Sequence, residues 1–150
     1  MADKDWSILS DVVSTLAGSG LLQLVRLGAG PGVEDAPVSQ LPACFVAYEG
    51  TDEFPSAGGD DELFCSLRFR LVLVVKGQEE PARIESAVKL ANDVKDTLMV
   101  DRFRSSQAAY GPAQKPTEFG PSNVSASFAH PFTVLEIDGS CGFYTSEVAR

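Results

Sequence analysis

Two stretches of the chain carry apolar residues at helical spacing, and between and after them the period falls to two. In "DWSILSDVVSTLA", residues 5–17, Ile8, Leu9, Val12, Val13 and Leu16 recur every three or four positions among serines and aspartates, which predicts an amphipathic helix. Asp5 or Ser7 suits its N-cap, and the glycines of "GSG" supply its stop. "LLQLVRL" and "ACFVAYE" then read as two short strands. The strongest alternation follows in "LFCSLRFRLVLVVK", where Leu63, Cys65, Leu67, Phe69, Leu71, Leu73 and Val75 share one face. The other face is polar up to Arg70 and apolar from Val72, so this strand should have one wet face in its first half and be covered on both sides in its second. Unbroken, it would span about 45 Å at roughly 3.3 Å per residue, long enough to cross a domain of this size or project from it.

"QEEPARIESAVKLANDVKDTLMVD" opens with acids and Pro81, as helices do, and places Ile84, Val88, Ala91, Val94 and Leu98 on one stripe. "SSQAAYGPAQKPTEFGPSN" holds three prolines and reads as a loop. "VSASFAHPFTVLEI" is the last strand, with Pro131 implying an edge or bulge, and "DGSCGFYTSEVAR" shows no clear period. The order α-β-β-β-α-β predicts a two-layer α+β fold. It has an antiparallel or mixed sheet of about four strands, two helices on one face and a long projecting hairpin.

Composition narrows this picture. The 150 residues suit one domain, residues 1–150, and no apolar run reaches the roughly 20 residues needed to span a bilayer. The first residues lack the pattern of a secretory signal, so the expected setting is the reducing cytoplasm. Three cysteines, Cys44, Cys65 and Cys141, form neither an even set nor a C-x-x-C pair, which predicts free thiols, with Cys44 and Cys65 packed as small apolar groups. A formal charge of -9 opposes binding to nucleic-acid phosphates and favours solubility.

Candidate chemistry is sparse. "VRLGAGPGVEDAP" follows a strand with Gly28, Gly30 and Gly32, yet a dinucleotide turn needs G-x-G-x-x-G opening a helix. Here Pro37 and Pro42 prevent a long helix, Glu34 and Asp35 would repel phosphate, and no Walker lysine is present; the segment reads as a connection between strands. His130, the single histidine, precedes a proline and lacks the company of a nucleophile motif. The acids of "EGTDEFPSAGGDDE" do not have EF-hand spacing and read as a solvated loop, and Asn123 in "NVS" has no role without a secretory route. No catalytic residue, cofactor or metal ligand is expected, and the chain is not read as an enzyme.

Taken together, the N-terminal helix, "LPACFVAYEGTDE", the long strand ending "FRLVLVVKG" and the helix "ESAVKLANDVKDTLMVD" resemble the tail terminator proteins of long-tailed bacteriophages. The closest pieces are Leu41-Pro42-Ala43 leading into a strand that ends Tyr48-Glu49-Gly50, and Val75-Lys76-Gly77 before the helix. The resemblance runs from about Ile8 to Ile137. It implies a virion protein that assembles in the host cytoplasm and forms a ring, usually a hexamer, on the head-proximal end of the tail tube. Such a ring stops tube growth and joins the head. Its partners are its own copies, the tube protein and a head-completion or connector protein, while DNA passes the lumen without specific binding. A long arm could then add to a neighbour's sheet edge, and an acidic loop of Asp52, Glu53, Asp60, Asp61 and Glu62 could face the lumen or a partner. A head-closure or other neck connector is the alternative within the virion. A small cytosolic enzyme or ligand-binding subunit using Cys44, Cys65 or His130 is the alternative outside it.

Overall fold

The first apolar stripe winds into helix α1, Lys4–Ala17, which buries Ile8, Leu9, Val12 and Leu16. Its last turn closes on Gly18, whose amide donates to the Ser14 carbonyl, while the Ser19 hydroxyl caps the Leu16 carbonyl at 2.6 Å. The computed structural model describes residues 4–28, 41–55, 62–101, 117–124 and 131–146. Beyond α1 these form β1 (Leu24–Leu27), β2 (Ala43–Pro55), β3 (Glu62–Lys76), helix α2 (Glu80–Met99), β4 (Glu118–Val124) and β5 (Phe132–Ser146). The strands make one mixed sheet in the order β1-β2-β3-β5-β4, parallel only between β1 and β2.

The expected two-layer α+β fold is present, with one strand more than expected. Both helices lie on one face, over a core that runs from Ile8 and Leu16 through Cys44, Val46, Leu67, Phe69, Leu71 and Leu73 to Val94, Leu98, Ile137 and Phe143. A smaller apolar cluster, Leu41, Ala43, Phe45, Val72, Val74 and Val134, is buried on the opposite face at one end of the sheet. That cluster is the doubly covered second half of β3 expected from its sequence. At the other end Ser66 and Arg68 leave the same face polar.

Four sequence readings are corrected. The proline-rich loop ends in β4, an edge strand that accommodates Pro121 at a register shift between Phe119 and Ser122. The single last strand read across Pro131 is two: Val124 closes β4, and β5 starts at Phe132. β5 then continues through "DGSCGFYTS", because Ile137, Gly139, Cys141 and Phe143 alternate onto the buried face with two small residues among them. The first part of the acidic connection, up to Pro55, belongs to β2.

Helix α2 also turns differently from its apolar stripe. Arg83 and Ala87 face inward with Ala91, Val94 and Leu98, while Ile84 and Val88 are exposed. The cause is the Arg83 side chain, 6% exposed, whose Nε donates to the Thr133 hydroxyl at 2.8 Å and whose Nη1 donates to the Gly77 carbonyl at 2.7 Å. A buried cation with hydrogen-bond partners on both sides fixes the helix's rotation more firmly than two apolar side chains that stay partly wet. Gly77 in turn donates from its amide to the Pro131 carbonyl, so the β3–α2 turn, the start of α2 and the start of β5 are held together.

Candidate interaction surface

The part of the molecule that differs most from an ordinary core is the sheet face turned away from the helices, where β2, β3 and β5 carry charges. A bulge builds its centre. Between Tyr48 and Gly50 the β2–β3 register shifts, so Glu49 is the extra residue and its carboxylate reaches Arg70 on β3 at 3.0 Å. Gly50 sits at φ +123°, and a Cβ there would lie 2.9 Å from the Arg68 guanidinium. Only glycine allows both the backbone turn and the arginine lying across it. Arg68 thereby reaches Asp52, two residues on, at 3.0 Å.

Arg70 is the hub of the face. It donates from Nε to Asp138 at 3.1 Å, faces Glu49 at 3.0 Å and has Glu136 at 3.9 Å. The Asp138 hydrogen bond, helped by the charges of Glu49, Asp138 and Glu136, outweighs slight desolvation and raises the guanidinium above its ordinary pKa. Glu118 on β4 joins the same surface, which forms an open groove of about 410 Å³ also lined by Gly120, Gly139 and Ser140. Five carboxylates, Glu49, Asp52, Glu118, Glu136 and Asp138, meet two guanidiniums, so this cluster keeps a formal charge of minus three. All the pairs are substantially exposed, so each contributes at most about 1 kcal/mol and weakens with salt.

Below this face the sheet is closely packed. The Phe69 ring lies directly on Gly139, where a Cβ would come within 2.6 Å of two ring carbons. Phe69 is 1% exposed, and Phe119 of β4 packs at the border of the same core.

Past this point β2, β3 and β5 run on together, beyond the ends of β1 and β4. Among the described residues, β1 pairs with β2 from Ala43 to Val46, and β4 pairs with β5 from Leu135 to Ser140. The register is level across the three remaining strands: Thr51 with Leu67 with Cys141, Glu53 with Cys65 with Phe143, and Pro55 with Leu63 with Thr145. The expected projecting hairpin is instead a three-stranded blade whose helix-side residues Cys65, Cys141 and Phe143 belong to the main core, with Thr51 hydrogen-bonded to Asp5 of α1.

The acidic residues singled out from the sequence divide. Asp52 and Glu53 are exposed on the blade's β2, with Asp52 held by Arg68; Glu62 begins β3 opposite Ser146; Asp60 and Asp61 lie outside the described residues. Glu49, Glu118, Glu136, Asp138, Arg68 and Arg70 were not singled out. The signal for four of them was legible as charge at every second position, Arg68 and Arg70 on one strand and Glu136 and Asp138 on another, and the register sets Arg70 opposite Asp138 with the other two on the same face.

Cys44, Cys65 and Cys141 are all buried free thiols, and burial pushes the Cys44 thiol up to about 12. Cys44 is therefore a neutral, packed group at physiological pH. His130 and residues 29–37 of the glycine-rich connection lie outside the described residues. Among the described residues no group of His, Cys, Asp and Glu side chains is arranged to hold a metal ion, and no helix is long and apolar enough to cross a membrane.

No family model matches the sequence, and no curated protein matches it. Among solved structures, a chain from the virion of a native gene transfer agent particle is similar, with a TM-score of 0.58 over 92% of this chain and 95% of that one. The two sequences are 13% identical, so the likeness is one of fold, extending over nearly the whole of both chains.

Proposed function

We propose that this chain is a structural component of a phage-like virion and acts as a tail terminator, closing as a ring of six copies on the head-proximal end of a tail tube. The observation that carries the reading is the fold shared with a chain of the gene transfer agent virion over 92% of this sequence, added to the sequence's resemblance to tail terminators. The role needs no reaction. A ring works by geometry: a heterologous interface that closes on itself, one rim matching the tube and the other presenting a different surface to the head. The helix-free charged face suits a lumen wall, since a cluster with a formal charge of minus three per copy repels DNA phosphates at close range and lets the duplex slide. In this reading Asp52 belongs to that wall, and Glu53, Asp60, Asp61 and Glu62 face the lumen or a partner.

The test is assembly. Purified protein, alone and mixed with its tube protein, is imaged by negative-stain electron microscopy and sized by light scattering. Closed rings, and tubes whose growth stops when the protein is added, are the expected result. A protein that stays monomeric with and without tubes overturns the reading. Rings that bind the head vertex and leave tube ends uncapped would move the protein to a neck connector instead.

A further inference from the structure

We infer that neighbouring copies join in the ring through opposite flanks of the helix layer. An aromatic patch of Trp6 and Tyr48 on one copy packs against a stripe of α2, Ile84, Val88 and Met99, on the next, with Asp5 facing Lys95. The inference rests on the ring reading above and names the residues that hold the ring together.

The first flank lies where α1 meets β2. The Asp5 carboxylate accepts from the Trp6 amide at 3.0 Å and from the Thr51 hydroxyl at 3.3 Å, and the Thr51 and Tyr48 hydroxyls are 2.7 Å apart. This run of bonds gathers Trp6 and Tyr48 into one patch, yet Trp6 is 57% exposed and Tyr48 50%. Tryptophan and tyrosine carry much of the energy of protein interfaces, because each buries a large area while losing little side-chain freedom. Here the chain's single tryptophan stands half in water.

The second flank is the side of α2 that the buried Arg83 turns into water. Ile84, Val88 and Met99 are each more than a third exposed, and together with Lys95 they recur at helical spacing along one stripe. Ser86, Leu90 and Asp93 look across a groove to Leu41 and Pro42, on the β2 side. Ile84 and Val88 stand two positions from Ser86 and Leu90, which at about 100° per residue puts them on the other side of the helix, away from β2. Since α1 packs over β1 and β2, and α2 over β3 and β5, the patch and the stripe occupy opposite flanks of one layer.

Position and charge both make a second copy the occupant. Opposite flanks meet head to tail, so a copy that gives its stripe to one neighbour keeps its patch for the other, and the contact repeats until it closes. The patch is acidic, with Asp5 and, two residues beyond Thr51, the exposed Glu53. The stripe's one charge is Lys95; Lys89, around the helix, is matched by Glu85 at 2.9 Å. Patch against patch sets acids opposite acids, whereas patch against stripe sets Asp5 opposite a cation. A contact between helix flanks also leaves the opposite sheet face, with Arg68, Arg70 and Asp138, clear to line the lumen.

The unsubstituted protein carries its own probe, because Trp6 is its only tryptophan. Acrylamide quenching of the fluorescence is measured on assembled rings and on the same protein diluted until light scattering shows monomers. The quenching constant should fall several-fold in the rings, with emission shifted to the blue. Val88→Asp then places a charge in the stripe, and should abolish rings while leaving the monomer's melting curve unchanged. Lys95→Glu, which asks less of the fold, should weaken the rings, and Asp5→Lys in the same chain should restore them. Rings in which Trp6 stays as quenchable as in the monomer, rings that survive Val88→Asp, or a Lys95→Glu defect that Asp5→Lys does not relieve each overturn the flank contact and leave the ring reading standing. An unsubstituted protein that forms no rings, alone or with its tube protein, overturns the ring reading itself.

Discussion

Strand β3 passes through two different environments, and the contrast separates what holds this fold together from what it offers to others. Between Leu71 and Val75 every residue is buried, with helices on one side and the second apolar cluster on the other. Between Ser66 and Arg70 the helix side stays apolar, through Leu67 and Phe69, while the opposite side holds guanidiniums and carboxylates partly in water. Burial of apolar area contributes about 25 cal/mol per Å², whereas an exposed ion pair contributes little. The doubly covered half should therefore carry stability, and the half-covered one should carry recognition. Substitutions that fall on one side of this division and behave as though on the other would break it.

The largest effect is expected at the boundary, at Phe69. Phe69→Ala should cost about 3–5 kcal/mol in chemical denaturation, the range for a fully buried aromatic ring. Gly139→Ala pushes a methyl into that ring from the other strand and should cost about 1–3 kcal/mol. Because the two residues touch, the double variant should be more stable than the sum of the single losses predicts. Simple additivity would mean that the ring's contact with Gly139 does not organise this part of the sheet.

Arg83 comes next, on the helix-covered side. Arg83→Met keeps the length of the side chain but leaves the Gly77 carbonyl and the Thr133 hydroxyl without their donor, at an expected cost of about 2–3 kcal/mol. A near-neutral result would show that α2 is positioned by its apolar stripe after all. Cys44 tests the same half by pH. Its thiol is raised in the folded state from 9.0 to about 12, so the folded protein holds that proton more tightly than the unfolded chain does. The associated stability is complete well below pH 9 and is lost as pH rises from 9 towards 12, on the order of 1 kcal/mol of it by pH 10. Thermal melts between pH 8 and 11 should show the decline, and Cys44→Ala should flatten it. The same decline in Cys44→Ala would assign it to another group.

These residues also show where sequence reasoning reaches and where it stops. The division within β3 is written in its own alternation, since Ser66, Arg68 and Arg70 give way to Val72 and Val74 on one face. Helix α2 was legible in extent but not in rotation, because periodicity ranks Ile84 above Arg83, and only the positions of Thr133 and Gly77 make a buried arginine favourable. β4 was hidden by Pro121, which an edge strand tolerates, and the end of β5 by Gly139 and Cys141, small residues that serve as buried ones. The charged face was legible only as separate charges. Glu49 meets Arg70 through a bulge, and Asp138 meets it through a pairing 68 residues long in sequence, neither of which a local pattern encodes.

The smallest expected change is at Arg70, and it is the sharpest test of the division. Arg70→Met removes the cation from among Glu49, Glu136 and Asp138 while keeping a stem that covers the strand. The lost pairs are exposed, so the monomer should lose no more than about 1 kcal/mol at low salt. What remains of the loss is repulsion among three carboxylates, and salt should screen it within a Debye length of about 8 Å at physiological ionic strength. Melting the variant and the parent at low and high sodium chloride should therefore give two curves that converge as salt rises. A loss well above that size that persists in high salt would mean the charged face is as structural as the apolar half. β3 would then be one continuous core strand, with no side reserved for a partner.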